Sequence, residues 1–346
     1  MANGVMTVAE VVARLQAAGD SAPKAAAGAP RSAGGDLRDG SIYLLDEPLR
    51  LAMQVAVATG RPLLLTGDPG SGKSSLAAWL AERLGWRYYE RVITGRTEAA
   101  DLLYQFDTVR KLGDAAGKPS LDDRRYVEPG VLWWALDREG ARRRGATEGS
   151  PRPRAGAMAS EPQAALNARR SKHHAVVLID EIDKADPDVP NALLVPLGSG
   201  QFPVTETQVT VQRVTPATRK KGTPAAPLFV VITSNGEREL PPAFVRRCVT
   251  HQLASPDAAR LETIAHAHAA REGHALDADE TKRIQELARQ AVRIREELRQ
   301  MDRKGAGTAE FLDAVRASRE LGLAPARKDE WERLLSLTLR KAAARP

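Results

Sequence analysis

One stretch of the chain has the residue types and the spacing of a phosphate-binding loop. Residues 67–74 fit the pattern G-x-x-x-x-G-K-S. Glycines let the backbone turn tightly so that its N–H groups face phosphate oxygens, and a helix starting here adds partial positive charge. Lys73 is long enough to reach the β- and γ-phosphates of a nucleotide, and the Ser74 hydroxyl can ligate Mg²⁺. The residues predicted to contact the nucleotide here are Gly67, Asp68, Pro69, Gly70, Ser71, Gly72, Lys73, Ser74 and Ser75.

Two acidic residues follow a second apolar run. Residues 175–179 are continuously apolar, as a strand buried on both faces should be, and Asp180 and Glu181 come directly after them. Ligands bind at the carboxyl ends of strands in parallel α/β sheets. We predict that Asp180 binds Mg²⁺, directly or through water, and that Glu181 activates a water molecule as a general base. The alternative is a strand that ends in two solvated acids.

Polar residues also follow the next two segments. Asn235 comes after the apolar run 228–233 and is predicted to orient the attacking water. Arg246 and Arg247 lie between a short helix and a strand, where an arginine of one subunit can stabilise the transition-state charge on a neighbour's phosphate. The alternatives are an asparagine that caps the following segment and a pair of surface arginines.

These side chains need a frame of parallel strands. Apolar runs predict strands at 62–66, 87–94, 175–179, 228–233 and 249–253. Helix-type patterns predict helices at 46–59, 76–84, 131–136, 191–197 and 242–247, and a short helix after a turn within 97–106. Alternating apolar residues predict a β-hairpin at 201–214, whereas 111–123 is predicted to be a loop and 126–130 a turn.

The composition of the chain changes along its length. Residues 1–40 are predicted to be an arm with a short amphipathic helix, or a helix that docks on a partner, followed by a flexible linker. Residues 41–255 are predicted to form the α/β core, and 256–346 a helical domain. Within the core, 138–174 breaks all periodicity and is predicted to be a partly disordered insertion, and 201–226 is predicted to be a hairpin followed by a basic loop.

Bulk properties limit the class of protein. The 346 residues are 42% hydrophobic, and 51 Lys and Arg against 44 Asp and Glu give a net charge of +7. This charge suits anionic partners, nucleic acid included. The sequence has no run of about 18 apolar residues, so no membrane span is expected. Cys248 is the single cysteine and no secretory signal is evident, so a reducing, cytoplasmic location is expected.

The four motifs, in this order, resemble those of the MoxR-like group of AAA+ ATPases. The resemblance is carried by residues 61–67 leading into the loop, by 177–185, by 232–237, and by 240–244 with the arginine pair that follows. It covers residues 42–253 well and the C-terminal helical region more loosely.

This resemblance implies an α/β fold with a five-stranded parallel sheet in the order 5-1-4-3-2, helices on both faces, and an α-helical lid. It implies a ring, usually a hexamer, that binds ATP and Mg²⁺ between subunits. Asn235 matches the sensor 1 position, and Arg247 best matches the arginine finger, with Arg246 as the alternative. Tyr43 and Leu44 match the position that packs on adenine, and the hairpin at 201–214 matches an insertion that faces the pore or a partner.

One feature of the lid departs from the family pattern. Many AAA+ lids carry a sensor 2 arginine, for which this chain offers only Arg303 or Lys304, so the contact is either substituted or missing.

The activity that the resemblance implies is ATP hydrolysis coupled to remodelling, assembly or activation of a protein complex. Its partner is expected to carry a von Willebrand factor A domain on a separate chain. Two alternatives stay open. One is an ATP-dependent oligomeric switch or scaffold in a defence or signalling system. The other is a motor stimulated by nucleic acid, although no nucleic-acid-binding motif accompanies the basic charge.

Overall fold

The structure is a computed structural model that describes residues 6–17, 40, 42–115, 122–146, 158–213, 228–303 and 305–340. The predicted flexible linker apart from Gly40, the predicted basic loop after the hairpin, and Lys304 lie outside the described residues. Contacts group the chain into two compact units. The first contains Met1–Ala18, Glu47–Leu65 and Leu80–His251, and the second contains Gly19–Asp46, Thr66–Trp79 and Gln252–Pro346. These units do not follow chain order, and the predicted domain boundaries stay a prediction.

Nine strands lie in the described residues. They are β1 (Leu63–Thr66), β2 (Arg87–Val92), β3 (Tyr104–Phe106), β4 (Val127–Pro129), β5 (Ala175–Asp180), β6 (Gln201–Val204), β7 (Val209–Gln212), β8 (Leu228–Ser234) and β9 (Val249–Gln252). Five of them form one sheet in the order β2-β5-β8-β1-β9. When only these five are numbered along the chain, the order read from β9 is 5-1-4-3-2, as predicted.

The helices in the described residues fall between and after these strands. They are α1 (Val8–Ala17), α2 (Glu47–Thr59), α3 (Lys73–Leu84), α4 (Ala99–Leu103), α5 (Thr108–Ala115), α6 (Val131–Leu136), α7 (Arg138–Arg142), α8 (Ala164–Asn167), α9 (Asp188–Ala192), α10 (Leu194–Ser199), α11 (Pro242–Val245), α12 (Ala258–Arg271), α13 (Ala278–Gln300), α14 (Thr308–Glu320) and α15 (Lys328–Thr338). Short 3-10 turns cover Asp123–Tyr126, Ile182–Lys184 and Thr205–Thr207.

The core of the first unit is built on β5. All six residues of β5 are buried, and β5 lies between β2 and β8, both of which pair with it in parallel. Apolar residues of α6, including the fully buried Trp133 and Trp134, cover this core. The parallel pairing brings the carboxyl ends of β5 and β8 together, which is where ligands bind in such sheets.

The hairpin prediction is confirmed and two loop predictions are wrong. Strands β6 and β7 pair antiparallel within the predicted hairpin. Residues 111–123 were expected to be a loop, but α5 occupies the first part, held by an ion pair of 2.6 Å between Lys111 and Asp123. Residues 126–130 were expected to be a turn, but β4 pairs with β3 there. Each segment is ordered by a contact with residues distant along the chain, which local polarity does not reveal.

Within the segment predicted to be a partly disordered insertion, residues 138–146 and 158–174 have a defined structure, and the prediction for the segment as a whole stays a prediction. Arg138 at the start of α7 forms an ion pair of 2.7 Å with Glu161, which also accepts a hydrogen bond of 2.8 Å from the Tyr89 hydroxyl. Asn167 at the end of α8 is buried and bonds the backbone N–H and C=O of Tyr88. Polar side chains order this segment, so apolar periodicity could not predict it.

The four C-terminal helices form the helical region of the second unit, which we call the lid. Helices α12 to α15 surround an apolar cluster that includes Leu287, Phe311 and Leu335, each fully buried. Residues 305–307 lie between α13 and α14, and residues 322–325 lie between α14 and α15. A bilayer-spanning helix needs a long apolar run, and no helix in the described part of the chain has one.

Helix α1 lies in the N-terminal arm, where a short amphipathic helix was predicted, and it packs on the rest of the first unit. Val11 and Leu15 are buried, and the Arg50 guanidinium of α2 donates to the Leu15 carbonyl at 3.1 Å. Just before α1, the Met6 N–H donates to His174 Nε2 at 3.0 Å, and the His174 ring stacks on Trp86 at 4.9 Å. A neutral imidazole is therefore part of the contact that holds this end of the chain.

The His174 contact should make stability depend on pH. Burial, with a smaller effect from the charge of His173, lowers the His174 pKa to about 4. The folded pKa is below the unfolded value of about 6.5, so the stabilisation is complete above pH 6.5 and is lost as the pH falls towards 4. We expect this group to contribute a slope of at most about 1.4 kcal/mol per pH unit to the unfolding free energy in that window.

Denaturant unfolding at several pH values measures this slope. His174→Phe keeps a stacked ring and should reduce the slope, whereas His266→Gln at an exposed site should leave it unchanged. Equal slopes for His174→Phe and the wild type would contradict the assignment.

Candidate functional site

The predicted phosphate-binding loop joins the end of β1 to the start of α3. Gly70 and Gly72 have φ values of +73° and +91°, which favour glycine. Helix α3 begins at Lys73, so the N–H groups of its first turn have no partner within the helix. The Lys73 ammonium is buried and donates to the carbonyl oxygens of Gly67 and Asp68, both at 2.7 Å. The loop is thus closed around a positive charge.

The loop has the donors that an anion needs. A helix N-terminus, glycine turns and a buried ammonium lie within eight residues. The Ser71 hydroxyl is also buried and has no hydrogen-bond partner among the described residues. Ser74, the second residue of α3, offers a hard oxygen of the kind that Mg²⁺ prefers.

Tyr43 and Leu44 lie in the same unit as the loop. The Tyr43 ring is 5.8 Å from the ring of Trp79, and a β-carbon placed on Gly72 would lie 3.5 Å from it. The Leu44 carbonyl accepts a hydrogen bond from the Arg260 guanidinium. Burial, followed by the Asp46 charge, raises the Tyr43 pKa, so the phenol stays protonated. The predicted contact with adenine stays a prediction.

In the first unit, one hydroxyl connects the two predicted acidic residues. Asp180 ends β5 and is 1% exposed. The Thr233 hydroxyl of β8 donates to Asp180 Oδ1 at 2.6 Å and accepts from the Glu181 N–H at 2.8 Å. Strand pairing therefore fixes both the carboxylate of Asp180 and the backbone of Glu181.

The Glu181 carboxylate is held by two donors. Its backbone has φ +60° and ψ +46°, so the chain turns sharply as it leaves β5. Oε1 accepts from Asn235 Nδ2 at 3.3 Å, and Oε2 accepts from Lys184 Nζ at 2.7 Å. The hydrogen bond to Glu181 is the main reason why the Lys184 pKa is raised. The structure thus brings together three of the predicted residues: Asp180, Glu181 and Asn235.

A third carboxylate positions the loop after β8. Asp183 is 1% exposed, and its Oδ2 accepts from the backbone N–H groups of Asn235 at 3.0 Å and Glu237 at 2.8 Å. Asp183, Lys184 and Thr233 were not among the predicted site residues. Asp183 and Lys184 lie within the motif at 177–185, but their residue types do not show which atoms they contact.

The predicted arginine pair lies at the exposed end of α11. Both side chains are exposed, and the Arg247 guanidinium donates to the Ala243 carbonyl at 3.2 Å. The Arg246 carbonyl accepts from Arg61 at 3.3 Å. Cys248 behind them is buried, and burial raises its thiol pKa to about 11. The arginine side chains therefore face solvent at an anchored segment.

A family assignment follows from residues 62–248, which contain the loop, the acidic residues, Asn235 and both arginines. This range matches the family described as AAA domain (dynein-related subfamily). The chain belongs to this family. AAA domains bind nucleotide on a P-loop α/β fold, and they typically work as ring-shaped oligomers. The matched range covers more than half of the 346 residues and stops before the lid.

One solved structure that shares similarity with this chain is a point variant of RuvB from Thermotoga maritima. The two are 15% identical, with a TM-score of 0.41 over 84% of this chain and 67% of that chain. No protein of curated function matches the sequence significantly.

In this AAA domain, the Thr233 hydroxyl should be required for stability. Thr233→Val keeps the shape of the side chain but removes the donor to Asp180 and the acceptor for the Glu181 N–H. We expect a loss of about 1–3 kcal/mol in unfolding free energy, the usual effect of a buried polar group left unpaired. Thr233→Ser keeps the hydroxyl and should lose less. Denaturant unfolding measures both, and a valine variant as stable as the wild type would contradict the bridging role.

Proposed function

We propose that the chain is a Mg²⁺-dependent ATPase of the MoxR-like group that remodels, assembles or activates a partner protein complex. The observation that carries the proposal is the bonded group of Asp180, Glu181, Thr233 and Asn235 at the ends of β5 and β8. Strand β1, which leads into the phosphate-binding loop, is the other neighbour of β8 in the same sheet. Sheet order and side-chain chemistry together support hydrolysis of a bound nucleotide.

The proposed roles follow from the chemistry of each side chain. Lys73 and the N–H groups at the start of α3 bind the phosphates of ATP. Glu181 takes the proton of the attacking water, and Asn235, already bonded to Glu181, directs that water. The ion pair with Lys184 holds the carboxylate of Glu181 in a defined orientation.

Two oxygen ligands of this chain suit Mg²⁺. The Ser74 hydroxyl and the buried Asp180 carboxylate are the hard donors that this ion prefers. When bound, Mg²⁺ neutralises charge on the β- and γ-phosphates. Thr233 orients the Asp180 carboxylate by its hydrogen bond.

The proposed assembly is a ring, most often a hexamer in this group. Arg247, or Arg246 beside it, would reach the nucleotide of a neighbouring subunit. The exposure of both side chains on an anchored segment supports this role, because the buried residues Phe244 and Cys248 hold their backbone. An arginine supplied in this way stabilises charge that develops on the transferred phosphoryl group.

The proposed partner is a separate chain with a von Willebrand factor A domain. The support is the resemblance of residues 177–185 and 232–237 to the MoxR-like pattern and the β6–β7 hairpin, which follows α10 as that pattern requires. The ATP-bound Glu181→Gln variant is the reagent with which to capture such a partner.

An ATP-dependent switch is the second candidate function. The favouring observation is that both oxygens of Glu181 are already bonded, to Asn235 and to Lys184. A general base held in this way suits slow turnover, so that the ATP-bound state lasts long enough to recruit an effector.

Replacing Glu181 with glutamine tests the hydrolytic role. Glu181→Gln keeps the size of the side chain and its bond from Asn235, but it cannot take a proton. We expect ATP binding to stay within about threefold of wild type and steady-state phosphate release to fall by about 10²–10⁴-fold, the usual contribution of a general base. Glu206→Gln, at an exposed acid in the hairpin, is the matched control and should retain full activity. Unchanged hydrolysis by Glu181→Gln would contradict the assignment.

A further inference from the structure

In the second unit, the start of lid helix α14 lies directly against the phosphate-binding loop. The Thr308 N–H at the start of α14 donates to the Gly70 carbonyl oxygen at 2.9 Å. A β-carbon placed on Gly307 would lie 2.6 Å from the Gly70 Cα, closer than any real contact allows. The two backbones therefore touch with no side chain between them. We call this contact, formed by Gly70, Gly307 and Thr308, the glycine joint.

Arg295 of the lid bonds backbone carbonyls close to the glycine joint. Arg295 of α13 donates from Nη1 to the Pro256 carbonyl at 2.8 Å and from Nε to the Ala306 carbonyl at 3.4 Å. Burial lowers the Arg295 pKa, and the charge of Asp68 acts in the opposite direction. Asp68 in turn accepts a hydrogen bond of 2.6 Å from the Ser255 hydroxyl. Arg295 of the lid thus holds the backbone of Ala306, the residue before Gly307.

The peptide between Gly70 and Ser71 is bonded at both ends. Its carbonyl oxygen accepts from Thr308, and its N–H, which belongs to Ser71, donates to the Asp68 carbonyl at 3.2 Å. A peptide group is planar, so its N–H cannot turn towards a phosphate without turning its C=O as well. Any rotation of this peptide when a phosphate binds must therefore stretch or break the bond to the lid.

We propose that the glycine joint couples nucleotide binding to movement of the lid. This inference rests on the proposed function, because it needs a nucleotide on the loop. A change in the backbone of the loop reaches the backbone of the lid through the hydrogen bond between the Gly70 carbonyl and the Thr308 N–H. This route from the nucleotide to the lid does not require an arginine at the sensor 2 position. Arg303 follows α13, and its predicted role, like that of Lys304, stays a prediction.

A proline at position 308 tests the joint with little effect on the helix. Thr308 is the first residue of α14, where proline is well tolerated, and Gly307 has the extended conformation (φ −91°, ψ −166°) that suits a residue before proline. Thr308→Pro removes the N–H and places a ring carbon against the Gly70 carbonyl. Thr308→Ala keeps the N–H and is the matched control.

Two measurements separate coupling from simple packing. In the wild type and in Thr308→Ala, Mg²⁺ and ATP should change amide hydrogen exchange across α14. In Thr308→Pro, this change should be lost while ATP still binds. Steady-state kinetics should show kcat lower by about tenfold or more in the proline variant, with KM changed by less than about threefold.

The outcomes are distinct. A proline variant with wild-type kcat and a wild-type exchange response would contradict the proposed coupling through the glycine joint. A wild type that binds ATP without any change in α14 also overturns the joint, but leaves the proposed function intact. A wild type that binds no ATP contradicts both the coupling and the proposed function.

If Thr308→Pro does not fold, Gly307→Ala carries the same expectation, because the backbone conformation of Gly307 accepts alanine and the added β-carbon would push Gly70 away. Gly113→Ala, with open space around it, is the control.

Discussion

Two buried carboxylates at the end of β5 need hydrogen-bond donors, and the donors that they find fix the end of β5 against the end of β8. Asp180 and Asp183 are each 1% exposed, and removing such groups from water is costly unless donors replace it. The donors come from the end of β8 and the residues after it: the Thr233 hydroxyl and the backbone N–H groups that bond Asp183. A shift of one residue in the β5–β8 register would turn Thr233 to the other face of the sheet. The position of Glu181 depends on this register.

Much of the frame was predictable because it depends on apolar burial. The runs at 175–179 and 228–233 are apolar throughout, and both form strands that are buried on both faces. The glycine spacing of the phosphate-binding loop specifies its turns, since Gly70 and Gly72 adopt left-handed conformations. The order of the five strands, however, came only from the family resemblance, since no pattern within a strand names its neighbours.

The features that the sequence did not predict depend on polar contacts between distant residues. Glu161 orders part of the segment expected to be disordered because it meets Arg138 and Tyr89, which lie on separate elements. Lys184 and Thr233 contact the site residues, but their types alone are compatible with a surface lysine and an ordinary strand threonine. The glycine joint is of the same kind: Gly307 matters because of the residue it meets, 237 positions earlier in the chain.

We propose that the chain hydrolyses ATP in a ring, in which the loop of one subunit and an arginine of the next act on each nucleotide. Mixing two inactive variants tests it directly. Lys73→Ala removes the phosphate-binding ammonium and Arg247→Ala removes the proposed finger, so each variant alone should release little phosphate from ATP. A mixture of the two variants should recover activity, with the greatest recovery near equal proportions, because some interfaces then combine an intact loop with an intact arginine. A wild type without ATPase activity, or mixtures that never exceed the two parents, would contradict it.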